Sequence, residues 1–248
     1  MQNVVLVIIF LSFFSFSGKA AETTEGNHIP EFYVGVSVGL DHLTTKRTEQ
    51  LTTGLKRVLF FSSNKSQSTN GINAKGLFGF LWTFPKTSFV LSPEIYLGKG
   101  GVEAALQGSK HDPDIPADKN LQSTIKRSFS MGIVLRAGFY LTDCNNNFLY
   151  GLIGMDKSKF QNKSIFSSTD VGGIVPVLFE KRSKFLKGIV VGTGFERKFN
   201  SFKVGIDMRY TSYPSWSYSS HNSASGDTLA VRLKPKIFST SLTFCYIF

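Results

Sequence analysis

The chain has 248 residues, a formal net charge of +11, 42% hydrophobic residues and 14% aromatic residues, among them 24 Phe. That mixture is too polar for a helical membrane protein and too rich in Phe for an ordinary soluble domain. Two Cys, Cys144 and Cys245, make no disulfide framework, and no CxxC or His/Cys cluster points to a metal or cofactor site.

The chain opens with an apolar run, Val4 to Phe16, followed by small residues at Ser17, Gly18, Ala20 and Ala21. This reads as a secretory signal peptide over residues 1–20, with 21–248 as the mature domain. The run is short for a membrane anchor, which needs roughly 20 apolar residues. Export makes nucleic acid an improbable partner for the basic surface. Anionic lipopolysaccharide is the natural one, although net charge alone also serves solubility.

After a polar lead, Phe32 to Leu40 alternates large residues (Phe32, Val34, Val36, Val38, Leu40) with Tyr33, Gly35, Ser37 and Gly39. A period of two is a strand. A long polar stretch follows, then a strand at Ala74 to Phe84 with Phe78, Phe80, Trp82 and Phe84 on one face. A turn at Pro85 leads into Ser88 to Gly98. There Glu94 faces inward, and Pro93 predicts a bulge or a locally open pairing. Residues 99–126 are polar again. Arg127 to Thr142 is the cleanest alternation, placing Arg136 with Ser128, Ser130 and Gly132 on the small face. A turn around Asn145 precedes the strand from Phe148, and 156–184 forms the third polar stretch. Phe185 to Phe199 puts Glu196 on its Gly face. Asn200-Ser201 makes a two-residue turn. Phe202 to Tyr210 then alternates with Lys203, Gly205, Asp207 and Arg209. A Ser/Tyr/Asn-rich stretch, 211–236, leads to the last strand.

That strand, IFSTSLTFCYIF, sets Phe238, Leu242, Phe244, Tyr246 and Phe248 against Ser239, Ser241, Thr243 and Cys245. Eight strands result, with three short and four long connections in strict alternation. The expected fold is all-β: an eight-stranded antiparallel transmembrane β-barrel with short periplasmic turns and four long extracellular loops. A soluble sandwich gives no reason for the alternation.

The terminal stretch resembles the last strand of bacterial outer-membrane β-barrels. The resemblance implies that Phe244, Tyr246 and Phe248 are an insertion signal read by the barrel insertion machinery. GIVVGTGFERKF-NS-FKVGIDMRYTSY, residues 188–213, resembles the closing hairpin of the small outer-membrane barrels of the opacity-protein and OmpA-like porin group. With FYVGVSVGL at the start, the likeness covers most of the mature chain and implies an outer-membrane location.

The inward charges Glu94, Arg136, Glu196, Asp207 and Arg209 are expected to form a lumen charge network. In so narrow a barrel they are read as an electrostatic plug, with the lining of a small pore as the alternative. His28, His42, His111 and His221 form no spacing like the triads of lipid A-modifying barrels, so no enzyme is expected. The stretch TSYPSWSYSSHNSAS has the composition of an adaptable contact surface for surface or host ligands. The function expected is a structural or adhesion-type surface barrel; the alternatives are a porin-like channel and a lipid A-modifying enzyme.

Overall fold

The computed structural model describes residues 30–52, 58–84, 87–110, 119–141, 146–170, 173–222 and 227–248. The expected signal peptide, His28, His111 and Cys144 lie outside the described residues.

Ten strands form one antiparallel sheet: β1 (Glu31–Thr52), β2 (Val58–Thr83), β3 (Phe89–Gly100), β4 (Glu103–Lys110), β5 (Lys119–Tyr140), β6 (Asn147–Asp170), β7 (Gly173–Phe199), β8 (Phe202–Ser212), β9 (Trp216–Asn222) and β10 (Asp227–Ile247). The sheet closes on itself where β1 pairs with β10, through a ring of eight: β1, β2, β3, β5, β6, β7, β8 and β10. β4 follows β3 beyond a break at Gly101–Val102 and pairs with β5. β9 follows β8 beyond Tyr213–Ser215 and pairs with β10.

The stretches read from sequence as long loops are largely paired strand. β1 and β10 stay in register from Tyr33↔Ile247 to Thr52↔Thr228, and β6 and β7 pair as far as Asp170↔Gly173. These outer portions have polar residues on the face that looks away from the barrel, so the large-small alternation fades while the ladder continues.

Near the short turns the outward face is apolar on every ring strand, with Phe32, Trp82, Ile95, Leu135, Ile153, Ile189, Ile206 and Phe244 all exposed. Along β5 and the residue that follows it, this surface runs from Met131 to Leu141. Ten residue steps of about 3.3 Å at a tilt of about 40° give a band roughly 25 Å tall. A closed apolar belt of that height is a surface built to face lipid, because water would leave it unsolvated.

The inward face is packed by pairing large residues with glycine. Tyr33 lies across Gly79, Tyr96 across Gly132 and Tyr150 across Gly194, each on the neighbouring strand. Pro93 leaves β2 and β3 locally open: their pairing skips from Gly79↔Glu94 to Trp82↔Leu91 without a change of register. On β5 a bulge between Arg127 and Phe129 makes Ser128 the extra residue. Ser128, expected on the inward alternation, is half-buried at that bulge.

Above the apolar band the ring splits. Among the described residues β2 does not pair with β4, nor β7 with β9. Two four-stranded sheets, β9-β10-β1-β2 and β4-β5-β6-β7, therefore face each other there. Leu43, Trp216, Leu229, Leu233 and Ile237 from the first pack with Ile125, Phe160 and Leu186 from the second in one apolar cluster.

Adding a Cβ at Gly132 brings it within 2.5 Å of the Tyr96 ring, whereas at Gly76 the nearest atom is 4.0 Å away. Gly132→Val is expected to lower stability by about 1–3 kcal/mol through overpacking, and Gly76→Ala to change it little. Urea unfolding of the micelle-folded chain, followed by electrophoretic mobility, measures both.

Candidate functional site: the lumen charge layers

The inward charges lie in two layers. In the layer nearer the short turns, Arg136 on β5 pairs with Glu94 on β3 at 3.1 Å and with Glu196 on β7. Arg209 on β8 reaches Glu94 at 3.0 Å and Asp207 at 2.9 Å, and Lys203 lies 3.1 Å from Glu196. Tyr33 on β1 donates to Glu94 and accepts from Arg136. The Arg136 guanidinium also sits 3.9 Å from the Tyr150 ring centroid, and the Lys203 ammonium 3.2 Å from that of Tyr33. Three cations face three carboxylates, and all six side chains are almost completely buried. Burying a charge is costly unless it is paired, and each charge here has an ion pair, Lys203 holding Glu196 and lying against the Tyr33 ring.

The structure thus gathers all five residues read from sequence, Glu94, Arg136, Glu196, Asp207 and Arg209, into one cluster. Lys203 is a sixth member. It shares the inward face of β8 with Asp207 and Arg209, so the same alternation that placed them also held its signal.

A second layer lies toward the long hairpins. Arg127 donates to Asp41 at 2.7 Å and to Ser158 at 3.0 Å, and its other amino group is 3.6 Å from Asp156. Asn73 and Ser239 also donate to Asp41. Tyr96 and Tyr213 donate to Asp156 at 2.7 and 2.6 Å. Sequence reading missed this layer. Asp41 and Asp156 stand where the strands leave the apolar band and look like the first residues of loops. Arg127 has outward parity until the bulge at Ser128 turns it in.

Above both layers lies the apolar cluster between the two sheets. It is crossed by Arg47 on β1 donating to Ser164 on β6, and by a hydrogen bond between Asn162 on β6 and Tyr218 on β9. Burial lowers the Arg47 guanidinium to about 10, with Tyr218 opposing, so it keeps its charge at neutral pH. Within the stretch read as an adaptable contact surface, two aromatic residues belong to this core, while Pro214, Ser215, Ser217, Ser219 and His221 are exposed. Tyr213 and Trp216 are buried and Tyr218 packs against them. Its aromatic residues pack inside the barrel.

The histidines are apart from these layers. His42 contacts Asn70 and His221 contacts Thr228, both on exposed surface. Among the described residues no group of His, Cys, Asp and Glu is arranged to hold a metal. Cys245 is buried as a free thiol in the lumen beside Gly35. Phe244, Tyr246 and Phe248 are exposed along the lipid side of β10, and Tyr246 stacks edge-on with Phe202 and Phe248.

No protein family matches the chain by sequence, and no curated protein does. Among solved structures the chain is similar to the outer membrane protein OprG from Pseudomonas aeruginosa. The identity is 12% and the TM-score 0.46, over 91% of this chain and 99% of that one. It is similar to Neisserial surface protein A at 14% identity and a TM-score of 0.37, over 88% and 97% of the two chains. A third likeness is to the outer membrane protease OmpT from Escherichia coli, at 11% identity and a TM-score of 0.41, over 92% and 100%. A fold does not fix an activity, so function rests on the lumen and the surface of this chain.

Removing Arg136 leaves three buried carboxylates facing two cations, Arg209 and Lys203. Arg136→Ala is expected to cost about 3–5 kcal/mol in urea unfolding. The quadruple change Arg136→Met, Lys203→Met, Glu94→Gln and Glu196→Gln, which removes two cations with two carboxylates and leaves Arg209 paired with Asp207, should cost clearly less. Equal losses in the two variants would show that packing, not charge pairing, holds this layer.

Proposed function

We propose that the chain is an eight-stranded outer-membrane barrel with a structural, surface-exposed and non-enzymatic role, closed to solute flow. The connections at 84–89, at 141–146 and at Asn200-Ser201 sit on the periplasmic side. The four strand pairs that outrun the apolar band project outside the cell. Surface or host ligands, if bound, meet the polar backs of these hairpins. Phe244, Tyr246 and Phe248 on the closing strand serve as the signal read by the barrel insertion machinery.

The observation that carries this reading is the filling of the lumen. Two layers of charge, each balanced by neighbours across the barrel, lie beneath an apolar cluster that spans both outer sheets. Ions crossing such an interior would have to break buried pairs and then pass an apolar region, and both steps are costly. A barrel of eight strands has an interior just wide enough for its own side chains. The charges are thus read as a scaffold that ties strands across the lumen, not as the lining of a path. A non-enzymatic role is supported by the histidines, whose described contacts are to an amide and a hydroxyl on exposed surface.

Reconstituted into planar bilayers, the chain is expected to give no discrete conductance steps. Reproducible steps of a single size would establish the channel instead. Lipid A from cells with and without the protein is expected to have the same mass spectrum; a difference of one acyl chain would establish an enzyme.

A further inference from the structure

On the outside of the barrel the change from apolar to basic is abrupt along β6 and β7. The outward rows run Met155 opposite Ile189, then Lys157 opposite Lys187, then Lys159 opposite Phe185. Met155 and Ile189, each 63% exposed, form the last row of the lipid-facing band. Cβ atoms directly opposite in such a pair lie about 5 Å apart, and successive outward rows about 7 Å apart. Three lysines therefore stand on neighbouring positions in the first two rows above the lipid, with side chains long enough to reach one headgroup.

Like charges directly opposite in an antiparallel pair repel, and Lys157 opposite Lys187 is such a pair. Among the described residues, no carboxylate lies within ion-pair distance of Lys157, Lys159 or Lys187. On the neighbouring β5, by contrast, Lys126 is matched by Glu103 at 3.4 Å. Phe185 lies between the cations, its ring centroid 5.2 Å from the Lys157 ammonium and 5.9 Å from that of Lys159. An exposed aromatic ring at this height is what a headgroup boundary favours.

We propose that Lys157, Lys159 and Lys187 bind a phosphate of an anionic glycolipid of the surrounding outer leaflet, whose acyl chains lie on Met155 and Ile189. This rests on the reading of the chain as an outer-membrane barrel. A phosphate carries enough charge and enough acceptor oxygens to take a donor from each lysine. Its presence turns the repulsion between Lys157 and Lys187 into attraction to a shared anion. The lipid source follows from position, since the lysines stand directly above a lipid-facing row that holds the acyl chains and confines the headgroup to their level.

The test uses the full chain folded in detergent micelles. It is titrated with bisphosphorylated lipid A, with dephosphorylated lipid A and with inorganic phosphate, and read by native mass spectrometry. Bisphosphorylated lipid A is expected to bind best. Lys157→Gln/Lys159→Gln/Lys187→Gln should weaken it about tenfold or more, and Lys99→Gln/Lys126→Gln/Lys236→Gln, lysines on the separate strands β3, β5 and β10 with none opposite another, should not. Equal weakening by the two triple variants would reduce the effect to net charge and overturn the site. Equal binding of dephosphorylated lipid A would remove the phosphate from the proposal, and competition by inorganic phosphate at comparable concentration would make it a free-anion site. Insertion into phosphatidylcholine vesicles, measured separately by heat-modifiable mobility, tests the barrel reading itself. A chain that inserts but shows one of those results loses only the lysine site, whereas one that does not insert loses both.

Discussion

A closed ring of eight strands has no room for bulk water, and everything inside it must be filled by side chains that satisfy one another. The rest of this structure follows from that constraint. Charged residues inside such a ring cannot be solvated, so they occur as balanced sets. Arg136, Arg209 and Lys203 face Glu94, Glu196 and Asp207, and Arg127 with the buried Lys75 faces Asp41 and Asp156. Large residues need space, and glycines on neighbouring strands supply it under Tyr33, Tyr96 and Tyr150. Between them the two layers reach every ring strand: the lower draws on β1, β3, β5, β7 and β8, the upper on β2, β6 and β10 as well. Lateral hydrogen bonds hold neighbouring strands, and the layers hold strands that are not neighbours.

The outside obeys a different solvent. Over the band the outward residues are apolar and individually unremarkable, since lipid asks only for apolar surface. Beyond the band the outward residues become polar and strongly basic, while the inward residues change from charged to apolar. The two faces thus exchange character at the membrane boundary. The ladder itself runs through with little interruption, because backbone pairing does not depend on which face meets water.

Much of the ring was legible in the sequence because period-two alternation is strong where one face meets lipid. Glu94, Arg136, Glu196, Asp207 and Arg209 stood out as inward charges for that reason, each set among clearly outward apolar neighbours. The upper layer was not legible. Asp41 and Asp156 sit where the outward face turns polar, so no contrast between faces marked them as inward. The residues of the outer sheets were hidden for the same reason, and the mixture of Ser, Tyr and Trp after Thr211 looked like a loop although Tyr213 and Trp216 are core.

The sequence by itself determined the strand alternation, the placement of the short turns and which residues of the lower layer point inward, since each depends on local period and on composition within a few residues. Only the tertiary structure decided which charges meet, that one extra residue at Ser128 turns Arg127 into the lumen, and that the ring opens above the membrane into two sheets closed over an apolar cluster. Those outcomes depend on register between strands distant in the chain. A shift of one residue there exchanges the faces of everything beyond it, and no local pattern records it.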